Sequence, residues 1–136
     1  MYDVSESQMT LYDYVQPFEG VLDENNRWIK LAKAIDWQEL ERQYASNFGK
    51  AGNQALPLRT AFGSLVIRAA LGLSDKQTVQ MIRENPYLQY FIGMTSFCYD
   101  APFVAHSMVG FRQRIPEEQV QKAVRLWKKF SRENLH

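Results

Sequence analysis

Apolar residues recur along most of the chain at helical spacing, and no alternating run bounded by hairpin dipeptides marks a strand. Trp28, Leu31, Ala32 and Ile35 fall at i, i+3, i+4 and i+7, the stripe of an amphipathic helix. Asp36, with Glu39 three residues on, has the form of an N-cap, so a second helix follows that turns Trp37, Leu40 and Tyr44 inward. The segment 46–56, rich in Gly and Asn, is predicted to be a loop. Pro57 suits the first turn of a third helix, because its missing N–H would be unpaired there anyway. Leu58, Ala61, Phe62, Leu65, Val66 and Ala69 line one broad face of that helix, and Ile67 and Leu71 extend the apolar surface round its side.

Gly72 is placed to end the third helix in a left-handed conformation, and Ser74 with Gln77 makes a capping box that starts a fourth at once, running to about Glu84. The two form a corner of helix-turn-helix type. Asn85-Pro86 is a cap followed by Pro at the first helical position, which predicts a short fifth helix over 87–92, closed by Gly93. Residues 94–104 read as irregular, and 105–115 and 117–134 as two further helices separated by Ile115-Pro116. The fold class is therefore all-α: a compact multi-helix domain over 23–136, preceded by an extended arm over 1–22 that mixes acids with Tyr2, Tyr12, Tyr14 and Phe18.

Composition changes this picture in one respect. The net charge of +1 conceals a division: residues 1–24 hold six acids and no Lys or Arg, whereas the rest holds all 16 basic residues against nine acids. An acidic arm before a basic body is a pattern that nucleic-acid-binding proteins share with ordinary solvated surfaces. At 136 residues the chain suits one domain whose core needs no staple. Its single cysteine, Cys98, reads as a small buried hydrophobe, and with His106 and His136 thirty residues apart no zinc ligand set is apparent. No apolar run is long enough to cross a bilayer and the N-terminus lacks a secretory signal pattern, so a reduced intracellular protein with no membrane partner is expected.

Catalytic constellations are missing from the sequence. There is no GxSxG elbow, GKAGN has neither Walker spacing nor a strand before it, and the arm's carboxylates lack DxDxDG spacing. Nothing calls for a cofactor, a metal or a small-molecule substrate, and no catalytic residue is assigned. What the residues offer is binding chemistry. On the helix over 106–115, Met108, Phe111 and Ile115 share the core side, while His106, Ser107, Gly110, Gln113 and Arg114 cover the opposite arc and Arg112 stands on a flank. Arg, Gln and Ser are side chains that hydrogen-bond base edges, and a recognition helix needs one face packed and one presented. On the last helix Val120, Ala123, Val124, Trp127 and Phe130 form the apolar side, and Lys122, Arg125, Lys129 and Arg132, with Lys128 beside them, make a cationic stripe able to neutralise phosphates.

Several ungapped blocks in order, NRWIKLAKAIDWQELERQYA (26–45), LRTAFGSLVIRAALG (58–72), GLSDKQTVQMIRENPYLQYFIGM (72–94) and FRQRI (111–115), closely resemble the N-terminal domain of bacterial insertion-sequence transposases of the InsH type. The arm segment QMTLYDYVQPFEGVLDENNRW is similar as well, so the resemblance covers nearly the whole chain. It implies a non-catalytic helical module in the bacterial cytoplasm, associated with the nucleoid, that binds double-stranded DNA at the element's terminal inverted repeats and helps assemble the synaptic complex. In that family a metal-dependent RNase H-like domain with a DDE triad follows, for which this chain has neither sheet nor length.

The sequence departs from the family before FRQRI, where Phe-Asp-Pro-Ser is replaced by Phe103-Val104-Ala105-His106, and at Gly110 and Gln113, where the family has His and Lys. Loss of the cap should fray the helix start at a cost of about 1 kcal/mol unless Ser107 takes over. The expected DNA contacts are His106, Ser107, Gln113 and Arg114 to bases, and Arg112, Lys122, Arg125, Lys129 and Arg132 to the backbone. The alternative is a transposase-derived interaction module that forms a homodimer, or pairs with full-length transposase and regulates it, without specific DNA binding.

Overall fold

The structure, a computed structural model, describes Phe18, residues 21–44 and residues 56–133. Among them are seven helices: α1 (Arg27–Ala34), α2 (Trp37–Tyr44), α3 (Leu58–Leu71), α4 (Asp75–Glu84), α5 (Pro86–Phe91), α6 (Ser107–Arg114) and α7 (Glu117–Glu133). The all-α expectation is met. The predicted loop over 46–56 lies outside the described residues except for Leu56, and so does the arm except for Phe18, Val21 and Leu22.

Most helix boundaries follow from local capping. Asn26 Oδ1 accepts from the Trp28 N–H at 2.7 Å to start α1, and Asp36 Oδ1 accepts from the Glu39 N–H at 3.0 Å to start α2. Pro57 stands at the N-cap of α3 rather than inside its first turn, one residue from the expected position. Gly72, at φ 66°, takes the left-handed conformation that ends α3, where the Gly72 and Leu73 N–H groups both return to the Arg68 carbonyl. The capping box at α4 is complete: Ser74 Oγ accepts from the Gln77 N–H at 3.1 Å, and Gln77 Oε1 accepts from the Ser74 N–H at 3.0 Å. Asn85 caps α5, with Pro86 at its first position.

Helix α3 is the centre of the molecule and packs against α2, α4, α6 and α7, while α1 packs on α5 and α7. Burial therefore runs round α3 from Ala61 to Ile67 without a polar face, and Ile67, expected at the side, is fully buried while Ala69 is only partly so. Ser64 is fully buried in this helix because its hydroxyl bonds the Thr60 carbonyl. Gly63 is needed for a close approach: a Cβ there would lie 3.1 Å from Ile92 Cγ2 and 3.3 Å from Ile92 Cα, just past α5. An aromatic cluster joins the N-terminal helices to the rest, with Trp28 on Phe91 and Trp127, and Trp37 edge-on to Phe62 and Phe91. Phe18 belongs to this body too. It is buried, its N–H donates to the Thr95 carbonyl, and its ring meets Tyr90 edge to face.

Among the described residues Gln89 is the one amide side chain sealed in the interior. Its Nε2 donates to the carbonyls of Ile82, Arg83 and Cys98, and its Oε1 accepts from the Cys98 N–H at 2.8 Å. One side chain thus satisfies the last carbonyls of α4 and pins the irregular segment that leads to α6. Cys98, expected to be buried, is half-buried, and its backbone rather than its thiol is what the fold uses.

Candidate nucleic-acid interface

Helix α6 is docked on α3 by Met108 and Phe111, with Ile115 buried just beyond its end, as the apolar spacing required. Phe103, immediately upstream, stacks edge-on against Phe111 at 5.3 Å between ring centroids. With that side fixed, the opposite arc carries His106, Gly110 and Gln113 directly away from the core, and His106 and Gln113 are exposed. Val109, 37% exposed, shares this arc.

At the start of α6 the cap is missing as expected, and Ser107 does not take it over. His106 occupies the cap position with helical dihedrals and no side-chain capping bond, and Ser107 is already the first helical residue. The N–H groups of Ser107, Met108 and Val109 instead donate to the carbonyls of Val104, Ala105 and His106 at 3.0, 3.0 and 3.1 Å. A turn of i to i−3 bonds thus satisfies three groups that a side chain would otherwise serve, so the expected loss is largely made good by backbone. Val104, at 70% exposed, stands in water just before this start, and Tyr99, further upstream, is 66% exposed.

The two arginines at the other end lie on opposite flanks. Arg114 lies back over Gly110, where an added Cβ would be 3.2 Å from its Nη1, so the glycine leaves room for the guanidinium along the presented arc. Arg112 turns the other way and binds Asp75, the first residue of α4, with both ends of its fork: Nη1 to Oδ1 at 2.6 Å and Nη2 to Oδ2 at 3.1 Å. Arg68 of α3 donates Nε to the same carboxylate at 2.8 Å. The Arg112 hydrogen bonds, assisted by the charges of both guanidiniums, hold the Asp75 carboxyl below its ordinary pKa. The sequence-predicted phosphate ligand Arg112 is therefore also a structural tie between α6 and the α3–α4 corner. Asp75 escaped sequence reasoning because an acid in the first turn of a helix is unremarkable, and its partner is 37 positions away.

On α7, Val120, Ala123, Val124 and Trp127 are buried and Phe130 partly so, while Lys122, Arg125, Lys128, Lys129 and Arg132 are exposed on the far arc. Lys122 also lines an open groove of about 300 Å³ beside Asp36, Glu39 and Leu40. The C-terminal half of α7 is fixed by Arg27, whose guanidinium sits 4.4 Å from the Trp127 ring centroid and donates to Ser131 Oγ. Among the described residues no three His, Cys, Asp or Glu side chains are grouped to hold a metal ion, and no helix is long and apolar enough to cross a membrane.

The described residues thus form a helical domain that packs the short helix α6 by one face and presents polar side chains on the other. Comparison with known proteins places it: residues 16–114 match the family described as Transposase domain (DUF772), and the chain belongs to that family. It is also 25% identical over 107 residues to the uncharacterized protein ORF8 in the nfe locus of Rhizobium meliloti, across 79% of this chain and 52% of that one. The chain spans about half the length of this curated relative. No solved structure matches it. The matched span ends at Arg114 and so includes α6 but not α7.

Proposed function

We propose that this is a non-catalytic DNA-binding and assembly domain of an insertion-sequence transposase, directed at the terminal inverted repeats of its element. The observation that carries the reading is α6, whose Met108 and Phe111 are sealed in the core while His106, Gln113 and Arg114 stand on the exposed arc. Membership of a transposase-domain family supports it. In this reading His106, Ser107, Gln113 and Arg114 meet base edges in the major groove, with Arg bidentate to guanine and Gln to adenine. Arg112 and the α7 cations Lys122, Arg125, Lys129 and Arg132 neutralise phosphates, which gives affinity that falls as salt rises.

The test is salt-titrated fluorescence anisotropy on duplexes carrying the element's ends and on random duplexes. Arg114→Ala is expected to cost about 1–3 kcal/mol and to relax preference at one base position, whereas Lys129→Ala weakens binding to every duplex and flattens the salt slope. Equal loss of specific and random binding in Arg114→Ala removes that residue from base reading. A second reading, self-association or pairing with transposase, draws on the exposed Val104 just before α6 and the exposed Tyr99 upstream of it. It predicts a dimer by light scattering and no duplex binding at low salt.

A further inference from the structure

The phosphate ligands assigned above all lie on α6 and α7, but α4, tied to α6 by the Arg112–Asp75 bridge, carries two exposed cations of its own. Two ties connect α4 to α6 and to the segment before it. Arg112, near the end of α6, is bound to Asp75 at the start of α4, and Arg83, in the last turn of α4, donates Nε at 2.9 Å to the carbonyl of Tyr99, upstream of α6. The start of α4 is thus joined to the end of α6, and its last turn to the segment upstream of α6. Along α4, Lys76, Val79 and Arg83 fall at i, i+3 and i+7 and share the flank of these ties, whereas Gln77, Gln80 and Glu84 occupy the outer arc.

Gln77 is occupied in the capping box, and Gln80 donates to Glu84. Lys76 and Arg83 are exposed, and the Tyr99 bond engages only Arg83 Nε, leaving its two terminal nitrogens for an anion. Beside Lys76, Arg68 and Arg112 share the Asp75 carboxylate.

We propose that α4 supplies a second set of phosphate contacts, Lys76 and Arg83, so that duplex DNA is held across α4 and α6, with the Arg112–Asp75 bridge joining the two. This rests on the DNA-binding reading and extends it. A helix seated in a major groove about 12 Å wide leaves an adjoining helix over the strand at the groove's edge. Long basic side chains there reach phosphate oxygens and not bases. Lys76 and Arg83, roughly 10 Å apart along α4 at about 1.5 Å per residue, then engage two separate phosphates.

The experiment compares the intact chain with Lys76→Ala/Arg83→Gln, and separately with Lys76→Glu, on end-sequence and random duplexes from about 50 to 200 mM salt. Two lost phosphate contacts lower the slope of log K against log salt by about 1.8, and affinity for both duplexes falls about tenfold or more with their ratio unchanged. Lys76→Glu gives a larger loss than Lys76→Ala at low salt. Thermal unfolding of each variant verifies that the domain is intact. Unchanged slope and affinity in a folded double variant overturn the α4 assignment while leaving the DNA reading in place. If the intact chain binds no duplex even at low salt, both fall together.

Discussion

Helices α4 and α6 are neighbours of similar length, yet they begin in opposite ways. Helix α4 is started by side chains, with both bonds of the Ser74–Gln77 box in place directly after the Gly72 turn. At α6 no side chain caps the helix, a backbone turn from Val104 to His106 carries the first N–H groups, and Gly110 sits in its interior. An isolated eight-residue helix with that start would be marginal, so α6 persists because of tertiary anchors: Met108, Phe111 and the Arg112–Asp75 bridge. The lesson is that the helix proposed to read DNA is held by its docked face and not by its own ends. Its exposed arc is thereby free to vary without unfolding the domain.

The most severe way to break the contrast is to remove an anchor. Phe111→Ala is expected to destabilise the domain by about 3–5 kcal/mol in urea unfolding, because a large ring, 3% exposed, leaves a cavity against α3 and Phe103. A loss below about 1 kcal/mol would mean that α6 is not held by its docked face. Asp75→Asn comes next, at about 1–2 kcal/mol, since the bridge is only partly shielded, with side-chain exposures of 24% and 36% for Asp75 and Arg112.

That difference depends on pH in a defined direction. The Asp75 pKa is lowered by folding, so its contribution is present in full above the unfolded carboxylate pKa of about 3.9 and is lost as pH falls through the lower folded value. Wild type and Asp75→Asn should therefore differ in melting temperature at pH 6 and converge in strong acid. A gap that persists undiminished at about pH 2 would place the effect elsewhere.

Capping sharpens the comparison with smaller effects. Ser74→Ala should cost about 1 kcal/mol, whereas Ser107→Ala, which removes no capping bond, should stay within about 0.5 kcal/mol. Equal costs would show that Ser107 does cap α6. Gly110→Ala is expected to stabilise by about 0.5–1 kcal/mol through helix propensity, because the group that its Cβ meets is the end of a flexible arginine. The same variant displaces Arg114 from its place over the glycine, so in the DNA assay it should act at the position that Arg114 reads. Destabilisation by Gly110→Ala would mean that the Arg114 placement is rigid.

Much of the fold was legible because its signals are local. Asp36 with Glu39, Ser74 with Gln77, Asn85 with Pro86, and Gly72 each act through hydrogen bonds or backbone angles within about four residues, and each stands where its spacing predicts. The presented arc of α6 was legible for the same reason, since helical geometry fixes which residues oppose Met108 and Phe111. Other features were not, and in each case the reason is distance in sequence. Ile67 looked peripheral because the apolar pattern of α3 shows one favoured face, while burial all round it comes from four neighbouring helices. Gln89 reads as an ordinary polar residue until the carbonyls of Ile82, Arg83 and Cys98 converge on its amide.

The amino-acid sequence by itself thus determined the helices, most of their ends, and which side of α6 and α7 meets the core, since these follow from periodicity and capping. Tertiary structure decided which cations stand together. Arg112 and Asp75 meet across 37 positions, and Arg83 reaches the segment before α6, only because α4 and α6 both pack on α3. Long-range charge pairing is a property of packed surfaces, and no local spacing rule encodes it.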